Sequence, residues 1–280
     1  MDKILITNGI ILTLNPAEPV LYDKAVLLAE GKIKKIAAKA DFAGFEGKEI
    51  DASGKVILPG FINVHHHFYS TLVRGLGKAA PSHDFNEVLE NLWWRLDKQL
   101  LMDDIYYSAL ISALDAVRHG TTTIIDHHAS PGAISGSLIE IAKAVEQTGL
   151  RANLCYEVSD RDGEGKTLEG IRENVHWLEQ VQAAKSDYLK GLFGMHAAFT
   201  LSDKTLETIA AEGAKLNCGY HIHVAEAASD EEYNVKHFGK RVVNRLQNFG
   251  LLNDKTIAAH CVHIDEQEMD LLAQNKVAVA

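Results

Sequence analysis

Cysteine is scarce in this chain. Three occur among 280 residues, Cys155, Cys218 and Cys261, far apart and without paired spacing. That argues against a disulfide framework and for buried, reduced thiols in a cytoplasmic protein. Long apolar runs are missing: nothing approaches the ~20 residues of a membrane span, and the opening Met1-Asp2-Lys3-Ile4 has no signal-peptide pattern. Positive charge is short as well. The net charge is -10 and no basic run exceeds two residues, which argues against nucleic acid or anionic membrane as the main partner, since both need a basic patch. There is no G-x-G-x-x-G and no Walker loop, so a nucleotide-phosphate cradle has no sequence support.

What is abundant is histidine. There are 14, and several fall in groups: 65–67, 127–128, 221 and 223, 260 and 263. The remaining composition, 46% apolar and 24% charged, is that of a globular chain long enough for one large domain or one and a half ordinary ones. Histidines grouped at strand ends point to metal or proton chemistry.

Residues 1–55 read as a small β unit, part of a sandwich. Residues 4–14 are apolar with an interruption at Gly9, and Glu30-Gly31 between 25–29 and 32–37 is a hairpin signal. From Val56 to residue 280 the pattern changes to apolar runs alternating with helical stretches, giving a second domain. The strand candidates are 56–65, 121–126, 152–158, 189–195, 219–224, 256–261 and 277–280. Between them, 103–119 is a helix ending at Gly120, Ser137 and Glu140 have capping-box spacing before a helix ending at Gly149, and Ser202 opens a helix over 203–216. Such alternation gives a parallel α/β sheet, either a barrel or a doubly wound sheet. The polar groups favour the barrel: His65, Asp126, His196, His223 and His260 all end different strands, and a (β/α)8 TIM-like barrel gathers those ends into one mouth. Only seven of eight strands are found, so the barrel reads as incomplete. The long connection over 68–120 is expected to cover the mouth. Its Trp93-Trp94 has a helical spacing with Leu89, Leu92 and Leu96 that favours core packing over a pocket role.

In a strand, residues two apart face the same side. His65 and His67 therefore face together and can hold one metal, while His66 faces away. His223 and Glu226 form H-x-x-E, a candidate ligand followed by a proton carrier. His221 is readable equally as a buried structural histidine. His196 and His260 also end strands, and each alone is readable as structural.

Taken together, the motifs 59–74 (PGFINVHHHFYSTLVR, then Gly75), 120–126 (GTTTIID), 196–202 (HAAFTLS), 221–226 (HIHVAE) and 259–263 (AHCVH) resemble the amidohydrolase superfamily. The likeness covers essentially the whole chain. It is strongest to the aminohydrolases that include guanine and S-adenosylhomocysteine deaminases and triazine hydrolases, and most of all to the SsnA-type aminohydrolases. The resemblance implies that His65, His67 and His223 are metal ligands, that Glu226 and His260 are catalytic, that His196 touches substrate, and that dimers or larger homo-oligomers form. Arg74 is a further substrate-binding candidate, for an anion, or else bonds a backbone carbonyl. The family's eighth-strand Asp is not in this sequence, and Ala197-Ala198 stands where a proline-containing turn is usual. Strand four ends Gly194-Met195-His196, with no lysine to bridge two metals and Lys190 only at its start. One divalent metal is therefore expected, zinc first, with iron or manganese as alternatives. The implied reaction is metal-dependent hydrolysis of a C–N bond, the deamination of a purine, pyrimidine or other amidine-like small molecule. The alternatives are an inactive metal-binding fragment of such an enzyme, or a cyclic-amide or chloro-substituent hydrolase of the same superfamily.

Overall fold

The computed structural model describes residues 3–75 and 80–280. The chain divides into two compact units, Met1–Phe61 and Ile62–Ala280. The first holds a four-stranded sheet built from Ile4–Thr7, Lys24–Ala29, Lys32–Ala38 and Lys48–Asp51, and a three-stranded sheet built from Ile10–Leu12, Val20–Leu21 and Val56–Ile57. The hairpin expected at Glu30-Gly31 is present, with both residues at positive φ (54° and 71°), the backbone a two-residue turn between twisted strands requires. The boundary falls later than residue 55. Val56-Ile57 pairs in parallel with Ile10-Ile11, so this stretch belongs to the first unit and the expected continuous strand 56–65 is split at Leu58-Pro59-Gly60.

Among the described residues seven strands follow: β1 (Phe61–His66), which begins at the last residue of the first unit, β2 (Thr121–His128), β3 (Arg151–Tyr156), β4 in two segments (Leu189–Gly191 and Phe193–Ala197), β5 (Tyr220–Val224), β6 (Ile257–His260) and β7 (Ala278–Val279). The first segment of β4 pairs with β3 and the second with β5, and every pairing from β2 to β7 is parallel. The spatial order is thus the sequence order, as in a (β/α) barrel. Gly194 lets β3 and β4 come together: a Cβ there would lie 2.3 Å from Tyr156 O.

Helices follow the strands: α1 (Met102–Arg118), α2 (Ser137–Thr148), α3 (Glu164–Ala184), α4 (Asp203–Leu216), α5 (Ala228–Phe238), α6 (Val242–Asn248) and α7 (Glu266–Gln274). Their apolar faces form one core with β2 and β3, including Ile124, Leu138, Ile141 and Leu154, and another with β4 to β6, including Phe193, Met195, Ile222 and Leu246. Ser202 caps α4 as expected, its Oγ accepting from Thr205 N at 3.2 Å. The capping box expected at Ser137 does not form. Glu173 of α3 instead accepts from Gly136 N at 2.8 Å and Leu138 N at 3.0 Å, so a buried carboxylate from another helix takes over the cap. Among the described residues no helix is long and apolar enough to cross a membrane.

Glu173→Ala leaves the buried Leu138 amide and the half-buried Gly136 amide without an acceptor and is expected to lower stability by about 1–3 kcal/mol. A shift of the urea midpoint measures this, and no shift would mean that Ser137 can take over the cap.

Candidate metal centre

The carboxyl ends of the strands converge on one cavity of about 230 Å³, lined by residues that include His65, His67, His196, His223, Glu226 and His260. This volume suits a small molecule and not a macromolecular chain. Strand alternation separates the first three histidines. His65 and His67 face the cavity, whereas His66 is engaged elsewhere, its Nδ1 3.2 Å from Asp126 Oδ1 and its Nε2 3.2 Å from Ser112 Oγ. Asp126 also accepts from Phe68 N at 2.7 Å, so it fastens the turn after β1.

The ring nitrogens decide what the cavity can hold. His67 Nδ1 donates to His127 O at 2.6 Å and His223 Nδ1 donates to His196 O at 2.8 Å. A neutral ring bonded in this way carries its lone pair on Nε2, and these two Nε2 atoms face each other at 3.3 Å; without a metal, Glu157 beside His67 favours the protonated form of that ring against the opposing effect of burial. Two lone pairs at that distance repel unless a cation lies against both. Nitrogens bound tetrahedrally to zinc at ~2.0–2.1 Å are about 3.3 Å apart, so the donor set fits the metal. His65 completes it: its Nδ1 is 2.9 Å from His221 Nε2, and its Nε2 is buried without a protein partner. His221 is wholly buried, stacked on His127 at 4.4 Å between centroids, and aims the His65 ring.

Around this set, Glu226 Oε2 lies 3.6 Å from His260 Nε2, and the His260 ring stacks on His223 at 7° between planes. His260, Cys261 and Ala225 all have positive φ (76°, 52° and 46°), a conformation costly for non-glycine residues. It is held by Cys261 N donating to Val224 O and His263 N to Ala225 O. Arg74 is exposed and lines an adjoining hollow with His66, Ser112 and Arg118, which shares His67 and Ser70 with the cavity. Trp93 and Trp94 do line the cavity, and Trp93 also packs against the first core, so their role exceeds the expected core packing.

The signature of the amidohydrolase family matches residues 56–280. The chain belongs to the amidohydrolase family. It is 30% identical over 280 residues to a 5'-deoxyadenosine deaminase of Methanosarcina barkeri, covering 100% of this chain and 62% of that protein. It is 33% identical over 277 residues to a 5-methylthioadenosine/S-adenosylhomocysteine deaminase of Thermococcus sibiricus, covering 99% and 62%. The crystal structure of an adenosine deaminase from Xanthomonas campestris with bound zinc superposes with a TM-score of 0.82 at 23% identity, covering 99% of this chain and 61% of that one. The chain thus spans about three fifths of the length of these relatives.

Two carboxylates of this amidohydrolase cavity escaped the sequence reading. Glu157, one residue past β3, places Oε1 3.2 Å from His67 Nδ1 and 3.4 Å from His127 Nδ1. Burial opposes its charge, but the neighbouring His67 holds the carboxyl below its ordinary range. A buried carboxylate here calls for a cation beside it, and a metal on His67 supplies one. Asp97 also lines the cavity and accepts a hydrogen bond from Arg161. Burial raises it to about 6 despite that guanidinium. The available signal for Glu157 was a charged residue closing an apolar strand. Asp97 lay in a stretch with no motif. Burial also raises Glu226 and holds His65 near 2 and His196 near 4, so both rings are neutral, as ligands and acceptors must be.

His223→Ala is expected to reduce bound zinc to background by elemental analysis while the fold persists by circular dichroism. Retention of stoichiometric zinc would remove His223 from the set. A second expectation concerns pH. Burial holds His128 and His196 near 4 against an ordinary 6.5, so the unfolded chain takes up protons first as pH falls. Stability is then lost between pH 6.5 and 4, by about 1.4 kcal/mol per unit for each such histidine. A flat thermal midpoint across that window would contradict it.

Proposed function

We propose that this chain forms the metal-holding part of a hydrolase that removes an amino group from an sp2 carbon of a nitrogen heterocycle. The observation that carries this is the pair of opposed Nε2 atoms of His67 and His223 at 3.3 Å, beside the buried unpartnered Nε2 of His65. A divalent metal held by these three, zinc by preference for three imidazoles, supplies the Lewis acidity that makes water nucleophilic near neutral pH. No lysine lines the cavity among the described residues, and Lys190 is exposed at the start of β4, which supports one metal over two.

The chain's own residues do the remainder. Glu226, whose carboxyl burial pushes above its ordinary range, carries a proton to the ring nitrogen next to the reacting carbon. His260 borders Glu226 and donates to the oxygen on which negative charge develops. Trp93, Trp94 and Phe85 line the cavity, where their faces take a flat ring and keep bulk water away. The names of the similar proteins, deaminases of adenosine derivatives, support an aminated ring over a cyclic amide or a chlorinated one.

The test is ammonia release from a panel of aminopurines and aminopyrimidines by the zinc-loaded protein, abolished by chelation and restored by zinc. Glu226→Gln is expected to cut turnover about 100- to 10,000-fold with zinc content unchanged. Full zinc occupancy with no ammonia from any member of the panel would sink the deaminase reading. Loss of zinc in Glu226→Gln would show Glu226 to be a ligand and not a proton carrier.

A further inference from the structure

One wholly buried nucleophile of the second unit has no part in the chemistry above: the thiol of Cys155. It lies near the end of β3 and packs with Leu192 and Ile257. The sulfurs of the other two cysteines, Cys218 and Cys261, each meet a backbone carbonyl, of Gly213 and Ala258. Cys155 differs, because its sulfur meets a carbonyl and a ring nitrogen. Sγ lies 3.4 Å from Asp126 O and 3.8 Å from His221 Nδ1. His221 Nε2 in turn lies 2.9 Å from His65 Nδ1, so an unbroken line of contacts runs from a β2 carbonyl to the first member of the proposed ligand set.

The carbonyl end of this line fixes the direction of every hydrogen bond in it. A carbonyl only accepts, so the thiol hydrogen points at Asp126 O. Burial pushes the thiol well above its ordinary range, so that hydrogen stays in place. The sulfur then offers only lone pairs to His221 Nδ1, which must carry a hydrogen and donate it. His221 Nε2 is left bare and accepts from His65 Nδ1. Burial keeps both rings neutral, holding His65 near 2 and His221 near 3. The lone pair of His65 therefore falls on Nε2, the atom that is buried without a protein partner.

The other two proposed ligands need no such line. His67 and His223 each place Nδ1 against a backbone carbonyl, which settles their tautomers outright. His65 rests on another imidazole, a group able to donate or to accept, so a third group must decide the direction. Resting on the proposed ligand set, we infer that Cys155 is a positioning residue: acting through His221, it holds His65 in the tautomer whose Nε2 can bind the metal. Without the sulfur, the His221 Nδ1 hydrogen has no acceptor. Both hydrogens can then move one place, so that His221 donates from Nε2 and His65 carries its hydrogen on Nε2, where the metal would bind. The metal then finds only a fraction of the molecules in the competent tautomer, and its affinity falls by that fraction.

The tautomers are readable by NMR from the long-range proton–nitrogen correlations of the histidine rings, in protein stripped of metal, with His65→Asn and His221→Asn to assign the signals. In the unaltered protein both rings are expected to carry hydrogen on Nδ1. Cys155→Ala is expected to move the His65 hydrogen to Nε2. It is also expected to weaken zinc binding, measured by competition with a chelator, about tenfold, the low end of what loss of an outer hydrogen-bond partner costs. Cys155→Ser keeps a hydroxyl that donates to Asp126 O and accepts from His221. It is expected to restore the Nδ1 tautomer and to return zinc affinity to within about threefold of the unaltered protein. A packing role alone would lower the thermal midpoint of Cys155→Ala and leave the tautomers as they were. The inference is overturned if His65 carries its hydrogen on Nε2 in the unaltered protein, if Cys155→Ala leaves that hydrogen on Nδ1, or if Cys155→Ser fails to restore it. A second zinc per chain that disappears in Cys155→Ala would also overturn it, by making Cys155 a ligand. If no form binds zinc, the metal reading falls, and the tautomers still decide whether Cys155 orients His65.

Discussion

Two imidazole nitrogens, each stripped of its hydrogen by a backbone carbonyl on the far side of its ring, are held 3.3 Å apart with lone pairs opposed. The candidate metal centre rests on this arrangement. The carbonyls that fix it, His127 O and His196 O, belong to the ends of β2 and β4, so the tautomers of the two proposed ligands are set by where neighbouring strands stop. A one-residue slip in either strand would exchange the facing side chains and dissolve the site. Sheet register and metal chemistry are in this sense the same constraint.

The periphery absorbs the consequences. Positive φ at Ala225, His260 and Cys261 costs on the order of 1–3 kcal/mol per residue, and backbone bonds from Cys261 and His263 to β5 and the residue after it hold these turns in place. Arg245, 1% exposed, performs the equivalent task for the loop after β4. It donates to Ala198 O and Leu201 O, to Asn234 Oδ1 and to Asp203 Oδ1. A buried guanidinium satisfied so fully acts as a rigid bracket. The loop it brackets carries Thr200, whose hydroxyl orients His196.

Much of this was legible in the residues. Strand alternation alone separates His65 and His67 from His66, because a period of two is a property of any extended chain. Gly120, Gly149 and Ser202 end or begin helices where their local chemistry requires. Each of the seven apolar runs holds a strand, but β1 and β7 are mainly exposed, not buried. The failures share a cause. Ser137 lost its capping role to Glu173, which lies 36 positions away in sequence. Val56-Ile57 joined the first unit because its partner is Ile10-Ile11. Arg74 follows the triple histidine closely in sequence, yet it lines the adjoining hollow and not the cavity itself.

What the sequence by itself determined is the inventory and its phase: which residues can bind metal, which of them face the same way, and which family the motifs resemble. Those follow from side-chain chemistry and from the local periodicity of strand and helix. Only the tertiary structure decided which nitrogen of each histidine is available, that Glu157 and Asp97 stand in the cavity wall, and that Arg74 does not. Tautomers and pocket walls depend on acceptors contributed by distant segments, and no local pattern records where those segments meet.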